Sequence, residues 1–119
     1  MFQEILQGDG GGGFEPKLLW TNPNPNTAMA DGTTINVNTS EYNELIVICK
    51  YTLTNAKKQR TLINKNDDNA SWMYSISVQG LFRNITWTNE TITFAIGANQ
   101  VGTVNTSYCI PLEIYGIKK

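Results

Sequence analysis

The chain has 119 residues, a net charge of −1, few charged residues at 16 % and no histidine. One domain is expected from that length, and the near-neutral charge excludes the basic footprint of a nucleic-acid or anionic-membrane binder. Without histidine the usual general base, the usual zinc ligand and the Ser-His-Asp triad are all missing.

In Met1 to Gln7, MFQEILQ, Phe2, Ile5 and Leu6 recur at helical spacing. Seven residues do not hold a helix alone in water, so this peptide needs a partner and reads as a docking or oligomerisation element. Residues 8–13, GDGGGG, follow as a flexible linker, because glycine at this density is costly to order and offers nothing to pack. Residues 14–119 are then a separate compact head. No basic region followed by an apolar stretch opens the chain, so no signal peptide is expected. No segment approaches the roughly 20 apolar residues of a membrane helix, so no membrane insertion is expected.

Within the head, KLLWT (Lys17–Thr21) is a first strand, stopped by the turn chemistry of Asn22-Pro23-Asn24-Pro25-Asn26. Thr33–Val37 is a second. Glu44–Leu53, ELIVICKYTL, is continuously apolar from Leu45 to Cys49, the pattern of a strand covered on both faces by a second sheet or a neighbouring subunit. Gln59–Ile63 is a fourth strand. The loop Asn64–Ser71 is the most polar stretch, and Trp72–Val78 alternates after it.

Leu81 to Ile96, LFRNITWTNETITFAI, carries period-two patterning on both sides of a short polar turn. That is a β-hairpin with one buried face. Arg83 falls on the inward alternation with Leu81, Ile85 and Trp87, which leaves three readings: burial against a carboxylate, a subunit interface, or the rim of the sheet. Residues 97–102 are a loop with room for a short edge. Ser107–Ile117 is the last strand, with Tyr108, Ile110, Leu112 and Ile114 facing in and Pro111 demanding an edge or a bulge. About eight short strands at regular spacing and no internal helix predict an all-β fold, an antiparallel, jelly-roll-like β-sandwich.

Chemistry-bearing clusters are sparse. Cys49 and Cys109 sit inside predicted strands and read as small buried core residues, with a disulfide as the alternative. Asp67, Asp68 and Asn69 gather oxygen atoms in the polar loop but lack a calcium-loop pattern. Asp67 and Asp68 are adjacent rather than opposed, which makes a poor acid/base pair. No enzyme and no cofactor are expected; paired carboxylates assembled by the fold are the one loophole. If exposed, Trp72 and Tyr74 can stack on sugar rings, with Asp67, Asp68 and Asn69 hydrogen-bonding the hydroxyls. The five Asn-x-Ser/Thr sequons, at Asn38, Asn69, Asn84, Asn89 and Asn105, follow from an Asn/Thr-rich composition.

Four stretches recur together: Leu-Trp-Thr-Asn at Leu19–Asn22, a Tyr-bounded apolar strand at Tyr42–Tyr51, an Arg-led hairpin at Arg83–Phe94, and IPLEIYGIK at Ile110–Lys118. In these the chain resembles short phage and prophage virion proteins, associated with the tail, baseplate or tail fibre of phages that infect Gram-positive bacteria. The resemblance spans nearly everything after Pro16. It implies a structural or adhesive virion component, made in the bacterial cytoplasm and carried on the particle. The expected assembly is a homotrimer of β-sandwich heads, fixed to other virion proteins by the N-terminal peptide, with host cell-wall polysaccharide as a candidate ligand. It also implies a threefold partner for Ile5 and Leu6 and a cover for the second face of Ile46–Cys49. It transfers no catalytic residue. The alternatives are a capsid decoration or head-fibre protein and a stand-alone carbohydrate-binding module.

Overall fold

The computed structural model describes residues 15–64, 71–75 and 80–118, with 71–75 followed as backbone. Among the described residues nine strands run in the order β1 (Lys17–Thr21), β2 (Thr33–Asn36), β3 (Glu44–Thr52), β4 (Lys58–Asn64), β5 (Ser71–Ser75), β6 (Leu81–Trp87), β7 (Thr91–Phe94), β8 (Ala98–Asn99) and β9 (Tyr108–Ile117). There is no helix among the described residues. One sheet has the order β1-β9-β3-β4, the other β2-β7-β6-β5, with the two-residue β8 beside the start of β6. All pairings are antiparallel. The result is a β-sandwich in which the first strand pairs with the last and the second with the seventh, the nesting expected of a jelly-roll-like chain.

The hairpin β6–β7 forms as its alternation dictates. Ile85 stands opposite Phe94 and Trp87 opposite Ile92, and all four are buried. The turn between them is fixed by Thr88, whose Oγ1 accepts the backbone N–H groups of Glu90 (3.1 Å) and Thr91 (3.0 Å), a threonine-capped turn. The other sheet contributes Leu45, Val47, Cys49, Ile63, Ile110 and Ile114 to the same core, and Met29 and Val37 close it from the connecting segments. Burying each of the larger side chains contributes about 1.5–3 kcal/mol. Trp20 of β1 meets Phe94 of β7 across the two sheets, with ring centroids 6.0 Å apart and planes tilted by 36°.

Two irregularities set where side chains point. Between Leu18 and Trp20 the pairing of β1 with β9 slips, so Leu19 and Trp20 both pack against the core while Leu18 points out. Between Ile48 and Cys49 the pairing with β9 slips again: Ile48 faces Glu113, Cys49 faces Pro111, and Leu112 has no partner on β3. This second slip overturns the simple alternation expected for the last strand. Cys109, Ile110 and Pro111 are consecutively buried, and Leu112 is only half-buried. Pro111 is tolerated in a strand paired on both sides because it sits beside that bulge. Its carbonyl accepts a hydrogen bond from Asn22 Nδ2 at 2.8 Å.

Candidate functional site

The outer face of the β1-β9-β3-β4 sheet is the most distinctive surface among the described residues. Leu18 pairs with Tyr115, Tyr115 with Ile46, and Ile46 with Leu62, so one row of four apolar-bodied side chains crosses all four strands. Leu18 is 47 % and Leu62 59 % exposed; Ile46 and Tyr115 are half-buried. The next row is Thr21, Glu113, Ile48 and Arg60. The apolar run Leu45–Cys49 thus buries Leu45, Val47 and Cys49 against the second sheet and presents Ile46 and Ile48 outward. Tyr115 Oη donates to Glu113 Oε1 at 3.3 Å. Partial desolvation, then the charge and hydrogen bond of Glu113, push the Tyr115 phenol above its ordinary value.

Arg83 is fully buried, and its hydrogen-bond partners among the described residues include no carboxylate. Its Nε donates to the carbonyl oxygens of Tyr108 and Cys109, each at 2.9 Å. Its Nη1 donates to Ala95 O at 2.7 Å and its Nη2 to Thr106 O at 2.8 Å. A planar cation here reaches four backbone carbonyls from two chain segments, with its Nε–H shared between two of them. Burial lowers its pKa, and the charges of Cys109, Cys49 and Asp31 act the other way. Of the three sequence readings, burial holds, and among the described residues the partners are main-chain oxygens. The inward alternation of β6 reveals that Arg83 is buried; the identity of its acceptors depends on contacts 12 to 26 residues away.

Among the described residues two clefts stand out. The first, about 250 Å³, is lined by Trp20, Asn24, Thr27, Met29 and Ile35 among others. Asn22 at its base is committed to the fold: Nδ2 donates to Pro111 O and Oδ1 accepts the N–H of Asn24 at 2.7 Å. The second, about 460 Å³ and more polar, lies between residues 36–40 and the hairpin turn at Asn89-Glu90. Val37 N–H donates to Glu90 O and Thr39 N–H to Asn89 O, which holds its two walls together. Amides and hydroxyls line it with a single carboxylate, Glu90, so among the described residues it offers hydrogen bonds and no acid/base pair.

The other sequence candidates fall as follows. Trp72 and Tyr74 lie on β5, at the end of the second sheet, opposite Asn84 and Phe82 in register; their side chains lie outside the described residues. Asp67, Asp68, Asn69, Phe2, Ile5 and Leu6 also lie outside them. Trp87 is 3 % exposed and therefore unavailable for stacking on a sugar. Sequence reading missed the Leu18–Leu62 row. Its signal was the apolar run itself, whose alternate residues have to face somewhere.

Among the described residues, fold and surface define an antiparallel β-sandwich with a partly exposed apolar row on one sheet and two clefts. Comparisons with protein-family models, with curated proteins and with solved structures gave no match.

Proposed function

We propose that this chain is a bacteriophage virion structural protein, tail- or fibre-associated. Its β-sandwich head assembles with copies of itself into a homotrimer and serves particle assembly and attachment to host-surface polysaccharide. The observation that carries this reading is the apolar row Leu18–Tyr115–Ile46–Leu62, open to solvent on a single chain. An apolar stripe across a whole sheet, rimmed by charge, suits a protein contact better than a catalytic role. Glu113 and Arg60 flank Ile48 in the adjacent row, so a neighbouring copy can set opposite charges against each other. The resemblance to virion proteins supports the same reading, because Leu19–Asn22 and Ile110–Lys118 become adjacent strands of this sheet. The peptide, tether and head organisation gives such a head its attachment to the particle.

Light scattering of the full chain and of a chain starting at Phe14 tests the proposal. A mass of three chains in both places the self-contact in the head. A trimer that needs residues 1–13 moves the contact to the N-terminal peptide. Monomers in both overturn the homotrimer. Immunogold labelling of particles separates a tail-associated protein from capsid decoration.

A further inference from the structure

Cys49 on β3 and Cys109 at the start of β9 are both fully buried, and their sulfurs lie 3.3 Å apart. Regular pairing does not explain this approach, since Cys49 stands opposite Pro111. The backbone of Cys109 accounts for it. Its φ is +53°, in the left-handed region that disfavours every residue with a side chain except in special settings. Arg83 Nε holds the carbonyls of Tyr108 and Cys109, one on each side of that torsion. Strain of this kind persists only where surrounding structure over-determines it. Here it brings one thiol against the other.

We propose that Cys49 and Cys109 form an internal disulfide when the folded chain meets an oxidant, joining β3 to β9 covalently. The inference goes beyond the virion reading and does not depend on it. The sulfurs need to close by about 1.2 Å to reach the bonded distance of about 2.05 Å. With a peroxide as oxidant, one thiolate sulfur attacks a peroxide oxygen. The O–O bond breaks, leaving a sulfenic acid and a hydroxide that takes up a proton as water. The second sulfur then attacks the sulfenic sulfur, the S–S bond forms, the S–O bond breaks, and a second water leaves. Two thiols and one hydrogen peroxide become one disulfide and two waters; the sulfurs are oxidised and the peroxide is reduced. The charge of the Arg83 guanidinium acts on both cysteines and favours the thiolate, the form that attacks an oxidant. A reducing cytosol keeps such a pair open, and an oxidising exterior closes it. The bond would span 60 residues of sequence.

The test is intact mass and peptide mapping of the reduced full chain before and after hydrogen peroxide, with iodoacetamide added under denaturing conditions. The expected product is about 2 Da lighter and takes no alkylation. It yields one peptide pair joined at Cys49 and Cys109, and peptide mapping keeps methionine oxidation apart. Its melting temperature rises by about 10 °C or more and returns with dithiothreitol. Cys49→Ala is expected to lose the oxidant-dependent rise. Two alkylated thiols after oxidation overturn the proposal, as do sulfinic acid without the joined peptide, a cross-link between chains, or an undiminished rise in Cys49→Ala. If Cys49→Ala does not fold, the mass and mapping of the unmodified chain decide alone.

Discussion

Arg83 Nε donates to the carbonyl oxygens of Tyr108 and Cys109, both at 2.9 Å, and so fixes the peptide planes on either side of the positive φ at Cys109. The same guanidinium reaches Ala95 and Thr106. One side chain from β6 thereby ties the exit of β7 to the turn that starts β9, which lies in the opposite sheet. No shorter or apolar residue can satisfy four carbonyls in that arrangement.

Replacing Arg83 tests this hub. Arg83→Met keeps much of the volume and takes the guanidinium from the carbonyl oxygens of Ala95, Tyr108 and Cys109, while Thr106 O keeps the N–H of Met29 at 3.0 Å. Each buried acceptor left unsatisfied costs about 1–3 kcal/mol, and the melting temperature is expected to fall by about 10 °C or more. Arg83→Lys restores the charge on one nitrogen that cannot span all four oxygens, so it should recover only part of the loss. Urea unfolding with an unchanged denaturant slope measures both. Wild-type stability in Arg83→Met would sink the hub.

Gly97 and Gly116 give an ordered pair of predictions. A Cβ at Gly97 would lie 2.5 Å from Tyr108 Cβ, 2.6 Å from Tyr108 O and 2.9 Å from Asn105 O. Two of these obstacles are backbone, on the turn that Arg83 clamps, and Asn105 N–H donates to Gly97 O at 2.8 Å. Gly97→Ala should cost about 1–3 kcal/mol or more. At Gly116 the obstacles are the Tyr42 ring at 2.6 Å and a Leu19 methyl at 2.9 Å, both side chains that can swing aside. Gly116→Ala is therefore expected to cost less than Gly97→Ala. Thermal unfolding of the two variants checks the order, and the reverse order would show that the turn yields more easily than the Tyr42 ring.

The strands and the inner face were legible in the sequence because period-two alternation records burial directly. Ile85, Trp87, Ile92 and Phe94 point where their spacing says. The departures come from register, which sequence does not record. The slip at Ile48/Cys49 leaves Leu112 half-buried and without a partner on β3 and makes Cys109, Ile110 and Pro111 consecutive core residues. The slip at Leu18/Trp20 turns Leu18 outward and completes the open row. Arg83 was visible as an anomaly on an apolar face. Its acceptors were not, because backbone carbonyls carry no sequence signature. The contact between Cys49 and Cys109 depends on one left-handed torsion at a residue other than glycine, which local preference argues against.

Tyr115 reports on the open face through its ionisation. Its phenol titrates above the ordinary value near 10, first because it is partly desolvated and then because Glu113 is beside it. The folded chain thus holds this proton to higher pH than the unfolded chain does. Below pH 10 both states are protonated and the contribution to stability is complete. As pH rises past 10 toward the folded value, the unfolded chain releases its proton first and stability falls. Ultraviolet titration of the tyrosinate band is expected to show a late component that Tyr115→Phe deletes. Deletion of an early component instead would mean that Glu113 does not face the phenol in solution.

Leu62 tests the proposed self-contact with little risk to the fold. It lies on β4 at the end of the row and is 59 % exposed, so Leu62→Lys removes no core contact of the single chain. Such a surface change is expected to alter monomer stability by no more than about 0.5 kcal/mol. In a trimer that buries the row, the same change places an unpaired ammonium against Ile46 and Tyr115 of the surface it adjoins. Desolvating that charge should weaken association by at least about tenfold. Light scattering is expected to show monomers at concentrations where the unmodified chain is trimeric, with an unchanged far-ultraviolet circular dichroism spectrum. Leu18→Lys, at the opposite end of the row, should do the same because it leaves the core equally intact. Two variants that stay trimeric would place the contact on another surface and leave the row to a different partner. A single variant that dissociates would confine the interface to one edge of the sheet.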